Sequence, residues 1–192
     1  TVMSNLLYGV TYYYRSYATN DVAGSWAPAS VQFSTLNPAG SANRLKISFT
    51  NYTGAPLTNF PALVKLSTNI TDFSFANFLS TNGYDLRFWN DLETTNLNYE
   101  IEEWTPTGTS FVWVQVQTFT NNCYIWATWG DSAASNQPAY TTNGATWSAG
   151  YMGVWHLDRT NGVEDLRDST SNKYNCAESG NPTSAVGKIS YG

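Results

Sequence analysis

Arg44-Leu45-Lys46-Ile47-Ser48-Phe49 alternates without a break: Leu45, Ile47 and Phe49 fall on one side of an extended chain, and Arg44, Lys46 and Ser48 on the other. A period of two marks a half-buried strand, because successive strand side chains point to opposite faces. Further β-like runs follow at Pro61 to Ser67, Tyr84 to Asn90, Leu97 to Trp104, Ser110 to Gln117 and Cys123 to Trp129, divided by turn-forming clusters. Short strands at this spacing predict an antiparallel sandwich. In Ser110 to Gln117, Val112, Val114 and Val116 line one face, while Phe111 and Trp113 lead into Gln115 and Gln117 on the other. That pattern predicts a central strand whose outer face is covered or touches a ligand. Phe75, Phe78 and Leu79 sit at i, i+3 and i+4 behind Asp72, which predicts one short helix, capped by Asp72, plugging an end of the sandwich. The expected fold class is all-β, with antiparallel β-sandwich modules in tandem and at most that one helix.

Composition agrees. Charged residues are 12% of the 192 and aromatics 16%, whereas globular domains average about 25% charged, so helical bundles and coiled coils are excluded. Abundant Thr, Asn and Ser suit strands, turns and wet sheet faces, as in extracellular β proteins. The expected location is extracellular or at the cell surface. Nine scattered Lys and Arg against a net charge of −5 leave no basic stripe for nucleic acid. No apolar run approaches the roughly 20 residues of a membrane-spanning helix. No phosphate loop or dinucleotide fingerprint is present, so no nucleotide cofactor is expected. Cys123 and Cys176 lack metal-ligand spacing, and two readings stay open for them: one disulfide, or two buried thiols.

Three constellations bear chemistry. Glu100, Glu102 and Glu103 form the densest acidic cluster; on a strand Glu100 and Glu102 share a face and Tyr99, Ile101 and Glu103 take the other. Glycoside hydrolysis needs a second carboxylate across the scissile bond, so this cluster reads as a solvated or Arg-paired face with Arg87 as partner. His156 is the sole histidine, and without a nucleophile elbow it reads as a packed or edge residue rather than a triad member. Trp113, Trp126 and Tyr124 belong to an aromatic set larger than a small core needs; they read as packing between sheets or modules, with Trp113 and Trp126, expected on neighbouring strands, as the candidate sugar platform.

Residues 44–139 resemble a bacterial domain-of-unknown-function family, number 2341, found in very large cell-surface proteins. The resemblance rests on Phe60-Pro61-Ala62-Leu63-Val64-Lys65-Leu66, Gly83 to Phe88, Leu97 to Trp104, Val112-Trp113-Val114 and Ile125 to Gly130. It implies a non-enzymatic sandwich. Leu6, Gly9 and Tyr12 resemble the tyrosine corner that closes a fibronectin type III domain, which implies that residues 1–36 are its last strands, that the chain begins in mid-domain, and that Tyr12 is structural. Gly150 to Asp158 and Asp168 to Asn172 resemble the opening of a laminin G-like, concanavalin A-like jelly roll over 150–192. Such modules often bind calcium in loops, which makes Asp168 and Asp158 the candidate calcium ligands. Residues 37–43 and 140–149 read as linkers.

Together these readings predict a non-catalytic structural or adhesive segment of a large bacterial surface protein. It would associate with itself or with neighbouring β modules by strand addition, as in a filament subunit. The alternative is a carbohydrate-binding module, either passive or attached to a polysaccharide-acting enzyme. An enzyme working through the glutamate cluster ranks below both.

Overall fold

The alternating stretch forms β5 (Asn43–Ser48), the edge of a four-stranded antiparallel sheet. The structure, a computed structural model, describes residues 6, 10–35, 41–134, 136–147, 150–160, 163–180, 185, 187 and 189. Next to β5 lie β11 (Tyr124–Trp129), β7 (Arg87–Trp89) and β8 (Asn96–Leu97), in that order. A three-stranded sheet, β6 (Leu57–Ser67), β10 (Thr109–Phe119) and β9 (Tyr99–Glu103), faces it. Val112, Val114 and Val116 of β10, with Ala62, Val64 and Leu66 of β6, meet Ile125, Ala127 and Trp129 of β11 and Phe88 of β7 in one continuous core. The all-β sandwich predicted from periodicity is the observed fold.

The chain crosses from one sheet to the other between β10 and β11. Trp113 and Trp126 therefore stand on the outer faces of different sheets, and the expectation of neighbouring strands is corrected. Hairpin-length turns do not require two strands to share a sheet.

The end of the sandwich at Trp129 is plugged by aromatic rings. Phe78 stacks on Trp129 at 5.3 Å and 9°, Phe73 meets Trp129 edge-on at 5.2 Å, and Phe75 and Phe78 both reach Trp104. The plug is a single three-residue 3₁₀ turn, Phe75–Asn77, capped by Ser74, whose hydroxyl accepts from the Ala76 N–H. Asp72 lies in the left-handed region at φ 62° and does not cap, and Leu79 is 57% exposed. Below the plug, fully buried Asp85 accepts from the backbone N–H groups of Leu79, Ser80 and Gly130 at 2.9–3.0 Å. It thereby ties the plug to the end of β11. Among the described residues Arg87 pairs with no glutamate: its guanidinium donates to the carbonyls of Tyr84, Leu86, Ala134 and Asn136, fastening the segment after β11 to the sheet.

Residues 11–34 form a β ribbon. β1 (Thr11–Tyr14) pairs with β4 (Val31–Ser34), and β2 (Tyr17–Thr19) with β3 (Gly24–Trp26). The Tyr12 ring stacks on its cross-strand partner Phe33 at 5.8 Å. Leu6 is half-buried, and Gly9 lies outside the described residues. After the sandwich, the regular structure among the described residues of 150–180 is the short pair β12 (Arg159–Thr160) and β13 (Val163–Glu164) and a bridge between Trp155 and Asp168. Among the described residues no helix is long and apolar enough to cross a membrane.

Candidate functional site

The outer face of the three-stranded sheet carries Glu100 and Glu102 on β9 and Trp113 and Gln115 on β10. Between Phe111 and Val112 the β9–β10 register shifts: Phe111 opposes Glu103, and Val112 opposes Ile101. Such a bulge re-aims side chains, here at Glu102. The simple alternation that placed Glu103 with Tyr99 and Ile101 ends at this step. Residues 145–147, Tyr151, His156 and Ser169 then cover the face. Gln115 donates through Nε2 to the carbonyls of Ala145 and Thr146 at 3.1 Å, and Asn98 donates to Ala145 at 3.3 Å. Trp147 lies over Trp113, ring centres 5.4 Å apart, and also meets Tyr151 and His156 at 5.6 Å.

Beneath this cover His156 is clamped between the two glutamates. Nδ1 contacts Glu102 Oε2, and Nε2 lies 3.4 Å from Glu100 Oε1, at ion-pair distance but without hydrogen-bond alignment. Both carboxylates take further donors as well. Trp147 Nε1 donates to Glu100 at 2.5 Å, the Ser169 hydroxyl donates to Glu100 at 2.6 Å, and Trp113 Nε1 donates to Glu102 at 2.8 Å. Burial works against a charged imidazole, but the close approach and negative charge of the two glutamates outweigh it and raise the His156 pKa from 6.5 to about 9. At neutral pH the group is an imidazolium between carboxylates. The Arg-paired reading of the glutamates is thus corrected: their cation is the histidine some fifty residues on, and their face is covered rather than solvated.

Of the other anticipated site residues, Tyr124 and Trp126 meet edge-on with ring centres 6.2 Å apart, on the other sheet from Trp113. Trp126 lies under the Arg44 guanidinium at 4.0 Å, and Arg44 pairs with buried Glu93 at 3.2 Å. Burial raises the Glu93 carboxyl's pKa, with the Arg44 charge opposing. Tyr124 lies under Lys46 at 3.8 Å. Cation–π contacts on one sheet and Trp147 on the other thus occupy the faces expected to stack on sugar. Cys123 and Cys176 are both free thiols, which corrects the disulfide alternative. Cys123 is half-buried in the turn before β11, its Sγ accepting from the Thr120 N–H at 3.4 Å, whereas Cys176 is exposed and not the buried thiol expected.

The calcium expectation is corrected by chemistry. Asp168 is 1% exposed, and both its oxygens are committed: the N–H groups of Val154, Thr170 and Tyr174 and the Thr170 hydroxyl donate at 2.8–2.9 Å. Burial tends to raise its pKa, yet these donors hold it well below the usual carboxylate range. A carboxylate so saturated pins a loop and has no oxygen left for a cation. The Asp158 carbonyl accepts from the Asp165 N–H at 2.6 Å. Among the described residues no three His, Cys, Asp or Glu side chains cluster as a metal site would need.

Trp147 and Ser169 were not anticipated. They stand 47 and 69 residues from Glu100, and no periodicity links residues so far apart; only the excess of tryptophans signalled that outer faces would be covered.

A two-sheet antiparallel sandwich with an acid–imidazole clamp on one outer face is the class that fold and site define. Within it, residues 82–151 match the family model described as a domain of unknown function, DUF2341. The matched stretch runs from the turn before β7 through both glutamates, Trp113 and Trp147 to Tyr151. No curated protein and no solved structure matches the chain.

Proposed function

We propose that this chain is a non-catalytic structural or adhesive segment of a larger extracellular bacterial protein, and that the central sandwich carries the next segment of chain on its three-stranded sheet. The observation that carries the reading is the clamp. Every acid–base group that chemistry could recruit there, Glu100, Glu102, His156 and the Ser169 hydroxyl, is engaged by another across the boundary between sandwich and following segment. A general acid or base needs a pKa near the working pH and reach to a substrate; His156 has neither. A cleft of about 360 Å³ opens beside Glu100, but the other acid bordering it, Asp168, is saturated by backbone donors. Glycoside hydrolysis lacks its second carboxylate on these terms.

In this reading residues 1–36 and 150–192 are parts of fibronectin type III-like and laminin G-like modules, and the clamp sets the angle between consecutive modules. Self-association by strand addition is its finer part: β5 and β6 each pair on one side only among the described residues, and open edges are templates for another strand. Limited proteolysis tests the assembly role. His156→Gln should expose residues 150–175 to cleavage while 41–129 stays resistant; equal resistance in both proteins contradicts it. A chain that stays monomeric in sedimentation at tens of micromolar, roughly where weak strand pairing is populated, removes the filament version.

A further inference from the structure

We propose that the cleft where the two sheets part, at the Tyr124 end of β11, binds a neutral oligosaccharide. It encloses about 440 Å³, within the roughly 300–1,000 Å³ of small-ligand sites. Its floor is apolar, made by the buried side chains of Val116 from one sheet and Leu97 and Ile125 from the other. One wall is uncharged and polar: Gln117, Thr118, Asn121 and Asn122. No hydrogen bond among the described residues engages these four side chains. Asn90, on the opposite wall, differs: its carboxamide oxygen accepts from the N–H groups of Thr94 and Thr95 and only holds a turn.

The backbone beneath two of the uncommitted groups is held in place. The turn carrying Asn121 and Asn122 is fixed by Cys123 N–H to Thr120 O, Thr120 N–H to Cys123 Sγ, Asn122 N–H to Phe49 O, and Phe49 N–H to Cys123 O. Asn122 sits in the left-handed region at φ 62°, where Asn is among the few residues that rest easily. Rigid presentation lowers the ordering cost of binding.

The chemistry selects the ligand. A carboxamide both donates and accepts, as a sugar hydroxyl does, so hydroxyls can satisfy each group on the wall. A purely apolar ligand would bury these amides unpaired. An anionic one would meet Asp91, the charged residue of the lining, on a chain of net charge −5. The oxygen-rich ring and apolar C–H face of a neutral sugar match walls and floor together. This site goes beyond the clamp and shares no residue with it.

Cys123 borders the cleft and gives the test a direct reporter. In Cys176→Ser protein it is the sole thiol. Cello-, xylo-, chito- and malto-oligosaccharides and an acidic galacturonate oligomer are titrated by calorimetry and scored for protection of Cys123 from maleimide. At least one neutral series should bind, slow labelling about fivefold or more, and bind about tenfold more weakly (~1.4 kcal/mol) to Gln117→Ala/Asn122→Gly protein of unchanged circular dichroism. Glycine tolerates the left-handed backbone at 122, so that variant removes the amide without strain. Absence of binding by every neutral series at millimolar concentration, about 4 kcal/mol of affinity, overturns the proposal. So does affinity undiminished in the double variant, or a preference for galacturonate. His156 titration reads the clamp separately, so failure here and failure there are distinguishable.

Discussion

Replacing His156 by glutamine keeps a polar side chain in the clamp and removes its charge. The folded protein holds the imidazolium to a pKa of about 9 against an ordinary 6.5. At 1.36 kcal/mol per pH unit this difference is roughly 3 kcal/mol, and the ring's partial hydration brings the contribution to about 2–3 kcal/mol. Removing one partner of a buried ion pair costs about 3–5 kcal/mol, a consistent range. The folded pKa is raised, so this stability is complete below pH 6.5 and is lost as the pH rises through 9. Urea unfolding of the parent and of His156→Gln between pH 6 and 10 measures it. The parent's advantage should be greatest near pH 6 and shrink by about 2–3 kcal/mol by pH 10, other titrating groups cancelling between the two proteins. An advantage that stays constant across this range refutes the reasoning, because the ion pair would then contribute nothing.

Other perturbations separate the parts of the fold. Asp85→Ala removes the buried acceptor of three part-buried backbone N–H groups and should lower unfolding free energy by about 2–3 kcal/mol in urea denaturation. Phe78→Ala opens the plug between Trp104 and Trp129; a loss of about 2–4 kcal/mol is expected by the same assay. Asp168→Ala frees the Val154, Thr170 and Tyr174 N–H groups, so hydrogen exchange should accelerate there and remain slow at Val112 and Ala127. Both cysteines should titrate with a thiol reagent without prior reduction, exposed Cys176 reacting before half-buried Cys123.

The sandwich was legible because each strand carries its own burial pattern. The alternation in β5 and the valine face of β10 each follow from a single extended segment meeting water on one side. The plug was half legible. Phe75 and Phe78 do face the core, but helical spacing over so few residues also fits a 3₁₀ turn, and ring packing on Trp104 and Trp129 decides the geometry. Strand order was not legible, since a turn such as 120–123 can close a hairpin or pass from one sheet to the other. The clamp was least legible of all. Glu100 and His156 are 56 residues apart in the numbering, each reads locally as an unremarkable strand residue, and their meeting depends on Trp147, His156 and Ser169 lying over β9 and β10. Asp168 misled for a related reason: the carboxyl oxygens that suggest a cation serve equally to gather backbone N–H donors, and only the surrounding loop shows which.

His156 is the chain's single histidine, so its ring resonances can be followed by NMR without ambiguity, and their titration is the most direct test of the clamp. The ring held between Glu100 and Glu102 should titrate near pH 9, and Glu102→Gln should move the midpoint downward. A midpoint at or below 6.5 in the parent protein, the value of a free imidazole, would contradict the clamp.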